Sequence, residues 1–139
     1  MVAYLASRSP LPLVLWQPDA RAFNVTELDE HEQPVLRHFS IPHVRQAGSH
    51  TNCGCGFNEG RGHPEAYAGQ AAESAAARES SSRLARYVRA HRVEQIYSCW
   101  SGDEGEPKQF ERRIRPDDLV APEFVLRERE LLVVAHDAG

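Results

Sequence analysis

The clearest β-strand in this sequence is Val93-Glu94-Gln95-Ile96-Tyr97-Ser98-Cys99-Trp100. It is rich in β-branched and aromatic side chains, and Ser101-Gly102-Asp103 follows it as typical turn chemistry. Because side chains alternate along a strand, Tyr97 and Cys99 share one face and Ile96 lies on the other. The stretch therefore predicts a regular strand in the last third of the chain.

A long helical stretch precedes this strand, from Glu65 to Arg92, and Pro64 opens it. Only its second half carries an amphipathic stripe with i, i+3, i+4 spacing, which consists of Leu84, Tyr87 and Val88. Ser80-Ser81-Ser82 is unfavourable in a helix interior, because serine hydroxyls compete for the backbone. The pattern predicts a helix that docks through its C-terminal half and begins as late as Glu73.

Short strands and a short helix are predicted on both sides of the long helix. Apolar or alternating runs mark the strands at 2–6, 13–16, 22–28, 43–47, 109–115, 123–127 and 130–135. Glu30–His38 favours a short helix, with Pro34 in its first turn. The run 109–115 is expected to form a hairpin with 93–100, across an acidic turn.

This order of elements favours the α+β class. We expect a single small domain, 1–139, with a mostly antiparallel sheet and with one long and one short helix packed on one face. If 43–47 and 93–100 lie parallel in one sheet, the long helix between them makes a right-handed crossover.

The composition excludes several classes of protein. The chain has 139 residues, of which 41% are apolar and 26% charged, as in a soluble globular domain. A formal net charge of −4 argues against a nucleic-acid partner. No apolar run approaches the roughly 20 residues that span a bilayer. The apolar segment at 11–16 is short and contains proline, unlike a signal peptide. We therefore expect a cytoplasmic protein without a membrane partner.

The most reactive part of the sequence is the glycine-rich loop 48–63, which contains Cys53-Gly54-Cys55. Loops of this length in compact domains are usually functional or disordered. Three cysteines are too few for a disulfide framework, and in a reducing compartment they would be thiols, metal ligands or redox groups. Any chemistry of this protein is therefore predicted in this loop.

One hypothesis for the loop is a soft-metal site, with zinc as the metal. Its ligands would be Cys53, Cys55, His50 and His63, because thiolate and imidazole are the usual zinc donors. Cys99 could join them through the crossover. The C-x-C spacing argues against this hypothesis, since zinc knuckles use two to four intervening residues.

A second hypothesis is thiol redox chemistry, because Cys53 and Cys55 could close a strained and easily reduced disulfide. The common redox motif is C-x-x-C at a helix N-terminus, which this sequence lacks. A third hypothesis is nucleophilic catalysis by one of these thiols. Its partners would be an imidazole, from His50 or His63, and an orienting group, from Asn52 or Asp103.

Two further interpretations of the loop remain open. Its glycines and Arg61 could cradle an anion, although the spacing matches neither a Walker loop nor a dinucleotide motif. Alternatively the loop is only a tight turn, with both thiols as small buried side chains. The protein would then be a non-catalytic interaction or structural domain, and we expect a homodimer in that case.

Overall fold

The structure contains one mixed β-sheet with helices packed against it. The computed structural model describes residues 1–59, 61 and 71–137. Its strands are β1 (Val2–Ser7), β2 (Asn24–Thr26), β3 (His43–Gly48), β4 (Gln95–Cys99), β5 (Phe110–Ile114) and β6 (Glu130–Val134). Its helices are α1 (Ala71–Ala90) and 3₁₀ helices at Glu30–His38, Gly54–Asn58 and Pro116–Val120.

The six strands lie in the order β2-β3-β1-β4-β6-β5. All neighbours are antiparallel except β5 and β6. The α+β class and the mostly antiparallel sheet are therefore confirmed. Because β3 and β4 are both antiparallel to β1, they run parallel to each other with β1 between them. The connection through α1 consequently passes over one strand, as in a split βαβ unit.

β1 is the central strand, and all six of its residues are buried. Leu5 faces α1 and belongs to the same apolar cluster as Val88. Tyr4 points to the opposite face, where it packs with Val35 of the Glu30–His38 helix. A strand that is covered on both faces must be apolar at every position, which explains the run Val-Ala-Tyr-Leu-Ala.

The short helix lies on the face opposite α1, which corrects the expectation that both helices pack on one face. Asp29 begins it with a capping box: the Asp29 carboxylate accepts from the Glu32 N–H at 3.0 Å, and the Glu32 carboxylate accepts from the Asp29 N–H at 3.0 Å. The Tyr4 hydroxyl donates to the same Glu32 carboxylate at 2.8 Å. The helix lies on that side because Tyr4 and its neighbours need an apolar cover there.

The expected hairpin between 93–100 and 109–115 is wrong. β4 pairs with β6 instead, and β5 pairs with the outer side of β6 in parallel. The reason is the difference in polarity, since β6 reads Glu-Leu-Leu-Val-Val and β5 reads Phe-Glu-Arg-Arg-Ile. The apolar strand takes the interior position and the charged one the edge. The run 123–127 forms no strand, although Phe124 and Leu126 enter the core.

α1 continues through the serine cluster at 80–82, although serine is unfavourable in a helix interior. Ser80 and Ser81 are fully buried and lie on the same side of the helix as Leu84 and Val88. The part of the expected helix before Ala71 lies outside the described residues. In the part of the chain that the structure describes, no helix has both the length and the apolarity needed to cross a membrane.

Candidate functional site

The residues after β3 fold into a tight, hydrogen-bonded turn rather than an open loop. The Ser49 hydroxyl and backbone N–H both donate to the carbonyl of Cys53, at 2.6 and 2.9 Å. The Asn52 N–H donates back to the Ser49 carbonyl at 2.9 Å, and Asn52 has a positive φ of 62°. Asparagine tolerates this left-handed conformation better than most residues. Cys53 then begins the Gly54–Asn58 helix.

Two contacts fasten this turn to the sheet and the core. The Gly54 N–H donates to the Met1 carbonyl at 3.0 Å, and a Cβ on Gly54 would lie only 3.1 Å from the backbone nitrogen of Ala3. Phe57 is 2% exposed and packs against Phe23, with ring centroids 6.4 Å apart. The cysteines are therefore held on a fixed backbone beside the start of β1.

Both thiols of the turn are free, and they differ in exposure. Cys53 is half-buried and Cys55 is exposed. The hydroxyl oxygen of Thr51 lies 3.3 Å from Cys53 Sγ, and the amino nitrogen of Met1 lies 2.8 Å from Cys55 Sγ. The turn thus presents two adjacent sulfur atoms at the protein surface.

The surroundings of Cys53 favour its thiolate. Burial raises the pKa of Cys53, but hydrogen bonds from the Thr51 hydroxyl and from the backbone N–H and thiol of Cys55 outweigh burial. The pKa of the Cys53 thiol is consequently lowered from its ordinary value. The thiolate is the nucleophilic form of cysteine. Cys53 is therefore expected to be more reactive at neutral pH than a cysteine with an unperturbed pKa.

The His50 side chain connects the turn to α1 through hydrogen bonds. Its Nε2 lies 3.0 Å from a Glu59 carboxylate oxygen, and its Nδ1 lies 3.1 Å from the Ser80 hydroxyl oxygen. The Ser80 hydroxyl donates its single proton to the Ala22 carbonyl at 2.6 Å, so it accepts from both the ring and the backbone N–H of His50. Ser80 is 0% exposed, which makes this a structural contact and not a nucleophile with its base.

The predicted metal ligands are brought together only in part. Cys53, Cys55 and His50 lie in one turn, but both ring nitrogens of His50 face Glu59 and Ser80. His63 lies outside the described residues. Within residues 1–59, 61 and 71–137, no group of three or more His, Cys, Asp or Glu side chains is arranged to hold a metal ion. The zinc hypothesis stays a prediction.

Other residues named from the sequence have different surroundings. Cys99 is buried on the face opposite α1, where burial and the nearby Glu104 carboxylate raise its pKa to about 12. The amide oxygen of Asn52 accepts from Asn24 at 3.0 Å. Arg61 is buried, and its guanidinium donates to the Leu119 carbonyl at 2.7 Å. Arg61 therefore connects two segments of the chain.

The contacts that Thr51, Glu59 and Ser80 make in this turn are not predicted from the sequence. A signal existed for Ser80, because it falls on the helical stripe that begins with Ala77 and continues to Leu84. For Thr51 and Glu59 the sequence carries no comparable signal, since their roles depend on how the turn folds.

Comparison with protein-family models, with curated protein sequences and with solved structures finds no match for this chain. A thiol of lowered pKa lies beside a second, exposed thiol on a fixed backbone. This arrangement suits nucleophilic attack by one sulfur followed by attack of the other.

The role of Thr51 can be tested through the pH dependence of alkylation. In a Cys55→Ser background, Thr51→Val removes a hydrogen bond that stabilises the Cys53 thiolate, so the pKa of Cys53 should rise. The rate of iodoacetamide alkylation at pH 7 should fall by about tenfold, the effect of one charge-assisted hydrogen bond. Thr26→Val, at an exposed position on β2, should leave the rate unchanged. An unaltered titration midpoint in Thr51→Val would exclude this role.

Proposed function

We propose that this protein carries out thiol–disulfide exchange, with Cys53 and Cys55 as the reacting pair and a disulfide as the substrate. The observation that supports the proposal is the lowered pKa of Cys53, one residue away from a second, exposed thiol. Cys53 supplies the nucleophile, and Cys55 supplies the sulfur that resolves the product. The proposal places the protein in the cytoplasm, where such thiols are kept reduced.

The proposed reaction has two steps. The Cys53 thiolate attacks one sulfur of the substrate disulfide, and a mixed disulfide forms while the other substrate sulfur leaves as a thiolate and takes up a proton. The Cys55 thiolate then attacks Cys53 Sγ and releases the second substrate thiolate. The protein loses two electrons and two protons as Cys53 and Cys55 join, and the substrate disulfide is reduced to two thiols. A second dithiol regenerates the protein by the reverse exchange.

The surroundings of Cys53 favour it as the nucleophile of the first step. Thr51 and the backbone N–H of Cys55 stabilise the Cys53 thiolate before it attacks. The hydrogen bonds from Ser49 hold the Cys53 carbonyl and so fix the backbone from which the thiol projects. Cys99 takes no part, because its raised pKa and its burial keep it protonated and inaccessible.

Oxidation of the reduced protein by glutathione disulfide tests the proposal. The unaltered protein should lose the hydrogens of two thiols, and peptide mapping should find a bond between Cys53 and Cys55. Cys55→Ser should stop at a glutathione adduct on Cys53, since no second thiol resolves it. Cys53→Ser should react at least about tenfold more slowly, because the thiol of lowered pKa is gone.

Cys99→Ser provides the matched control for these variants, and it should behave as the unaltered protein does. Equal oxidation rates for Cys53→Ser and the unaltered protein would overturn the assignment of the nucleophile. A glutathione adduct that persists in the unaltered protein would overturn the exchange reaction itself. If the purified protein contains stoichiometric zinc that is lost in Cys53→Ser, the thiol-exchange proposal is wrong and the zinc hypothesis is supported.

A further inference from the structure

β5 leaves one edge of the sheet open, and the direction of its backbone groups is defined by its bonds to β6. The Phe110 N–H donates to the Arg129 carbonyl at 3.2 Å, and the Ile114 carbonyl accepts from the Ala135 N–H at 2.7 Å. Backbone groups of a strand alternate in direction, so those of Glu111 and Arg113 point away from β6. No other strand of the described residues pairs with this edge.

The two outward-facing residues carry opposite charges. Glu111 and Arg113 are both exposed, and they lie symmetrically about Arg112. If a second copy of β5 pairs antiparallel to the first about a twofold axis at Arg112, each Glu111 lies opposite the Arg113 of the other copy. These two positions are also the ones with outward backbone groups, so each pair exchanges N–H and C=O bonds. The edge is therefore complementary to itself in both charge and hydrogen bonding.

The other side chains of β5 are compatible with this pairing. Phe110 is 45% exposed, and in this register it lies opposite Ile114 of the second copy, which would cover part of its ring. Arg112 would meet its own copy, but its guanidinium donates to the buried Glu130 carboxylate at 2.9 Å and lies over the Phe124 ring. Its charge is thus already compensated within each copy.

We propose that β5 is a dimer interface, at which two copies of this chain join their sheets across a twofold axis. The interface is isologous, as is usual in homodimers. Each Glu111 would lie between its own Lys108, with which it already pairs, and Arg113 of the second copy. The dimer does not depend on the thiol chemistry, because the Cys53–Cys55 turn follows β3 on the other half of the sheet.

Charge exchange at the two positions gives a sharp test, with sedimentation velocity over a wide range of protein concentration as the measurement. Glu111→Arg places arginine opposite arginine, and Arg113→Glu places glutamate opposite glutamate. Each single variant should raise the dimer dissociation constant by about tenfold or more, since two like-charge pairs replace two opposite ones. The double variant Glu111→Arg/Arg113→Glu should restore the dissociation constant of the unaltered protein.

Arg78→Glu, at an exposed position on α1, is the matched control and should leave the dimer unchanged. Cys53→Ser should also leave it unchanged, which separates this proposal from the thiol exchange. A protein that is monomeric at every concentration would overturn the interface, and the charges of β5 would then only guard the edge against association. A dimer that neither single variant weakens, or that the double variant does not restore, would equally overturn it.

Discussion

Gly56→Ala is expected to lower the free energy of unfolding by about 3 kcal/mol, at the upper end of the costs of overpacking. A Cβ at this position would overlap the Ser49 hydroxyl oxygen and would lie 2.8 Å from Cε1 of His50. Real Cβ atoms do not approach other atoms this closely, so the side chains of Ser49 and His50 must move away from it. The Ser49 hydroxyl holds the Cys53 carbonyl, and the low pKa of Cys53 should be lost together with stability.

Urea unfolding and the alkylation rate of Cys53 together measure this effect. Gly105→Ala is the matched control, because the nearest atom to its new Cβ would be Pro34 Cβ at 3.3 Å, which is a far milder contact. That variant should lose less than about 1 kcal/mol and should keep the reactivity of Cys53. If Gly56→Ala keeps both the stability of the protein and the reactivity of Cys53, the close packing of Ser49 and His50 on this glycine contributes to neither.

Ile96→Ala is expected to cost about 2–5 kcal/mol, the range for deletion of a buried aliphatic side chain. Ile96 is 0% exposed on β4, between Leu5 of β1 and Leu132 of β6, with which it is in register. All three side chains belong to the cluster beneath α1. A cavity at this point is surrounded by strands on both sides, so it cannot collapse without distortion of the sheet.

Thermal unfolding followed by circular dichroism should show a fall of roughly 10 °C in the midpoint for Ile96→Ala. Leu15→Ala removes an apolar side chain that is 78% exposed, and it should change the stability by less than about 0.5 kcal/mol. A loss below about 1 kcal/mol for Ile96→Ala would contradict the position of Ile96 at the centre of the core.

Strand positions could be predicted from the sequence because the signal for a strand is local. The run 93–100 contains β4, and 2–6 and 43–47 each fall one residue short of the strands they mark. The pairing of the strands could not be predicted in this way. β6 displaces β5 as the neighbour of β4, and that choice depends on which of two distant segments buries more apolar surface.

In the candidate site, too, the sequence predicts the positions of the reactive residues but not their contacts. Cys53 and Cys55 are identifiable because two thiols one residue apart are chemically conspicuous. The lowered pKa of Cys53 is not, because it depends on the orientation of the Thr51 hydroxyl and of a backbone N–H in the folded turn. The sequence predicts His50 as a ligand or a base, whereas its ring contacts Glu59, just after the Gly54–Asn58 helix, and Ser80 of α1.

The α+β class, the approximate positions of the six strands and the location of the thiols follow from side-chain patterns within a few residues. The runs 13–16 and 123–127 carry similar patterns but form no strand, because a local pattern does not specify pairing. The tertiary structure decided the order of the strands, the face on which the short helix lies and the partners of Cys53 and His50. Each of these depends on contacts between residues far apart in the chain. Such contacts are selected by the burial of apolar surface and the pairing of polar groups over the whole molecule.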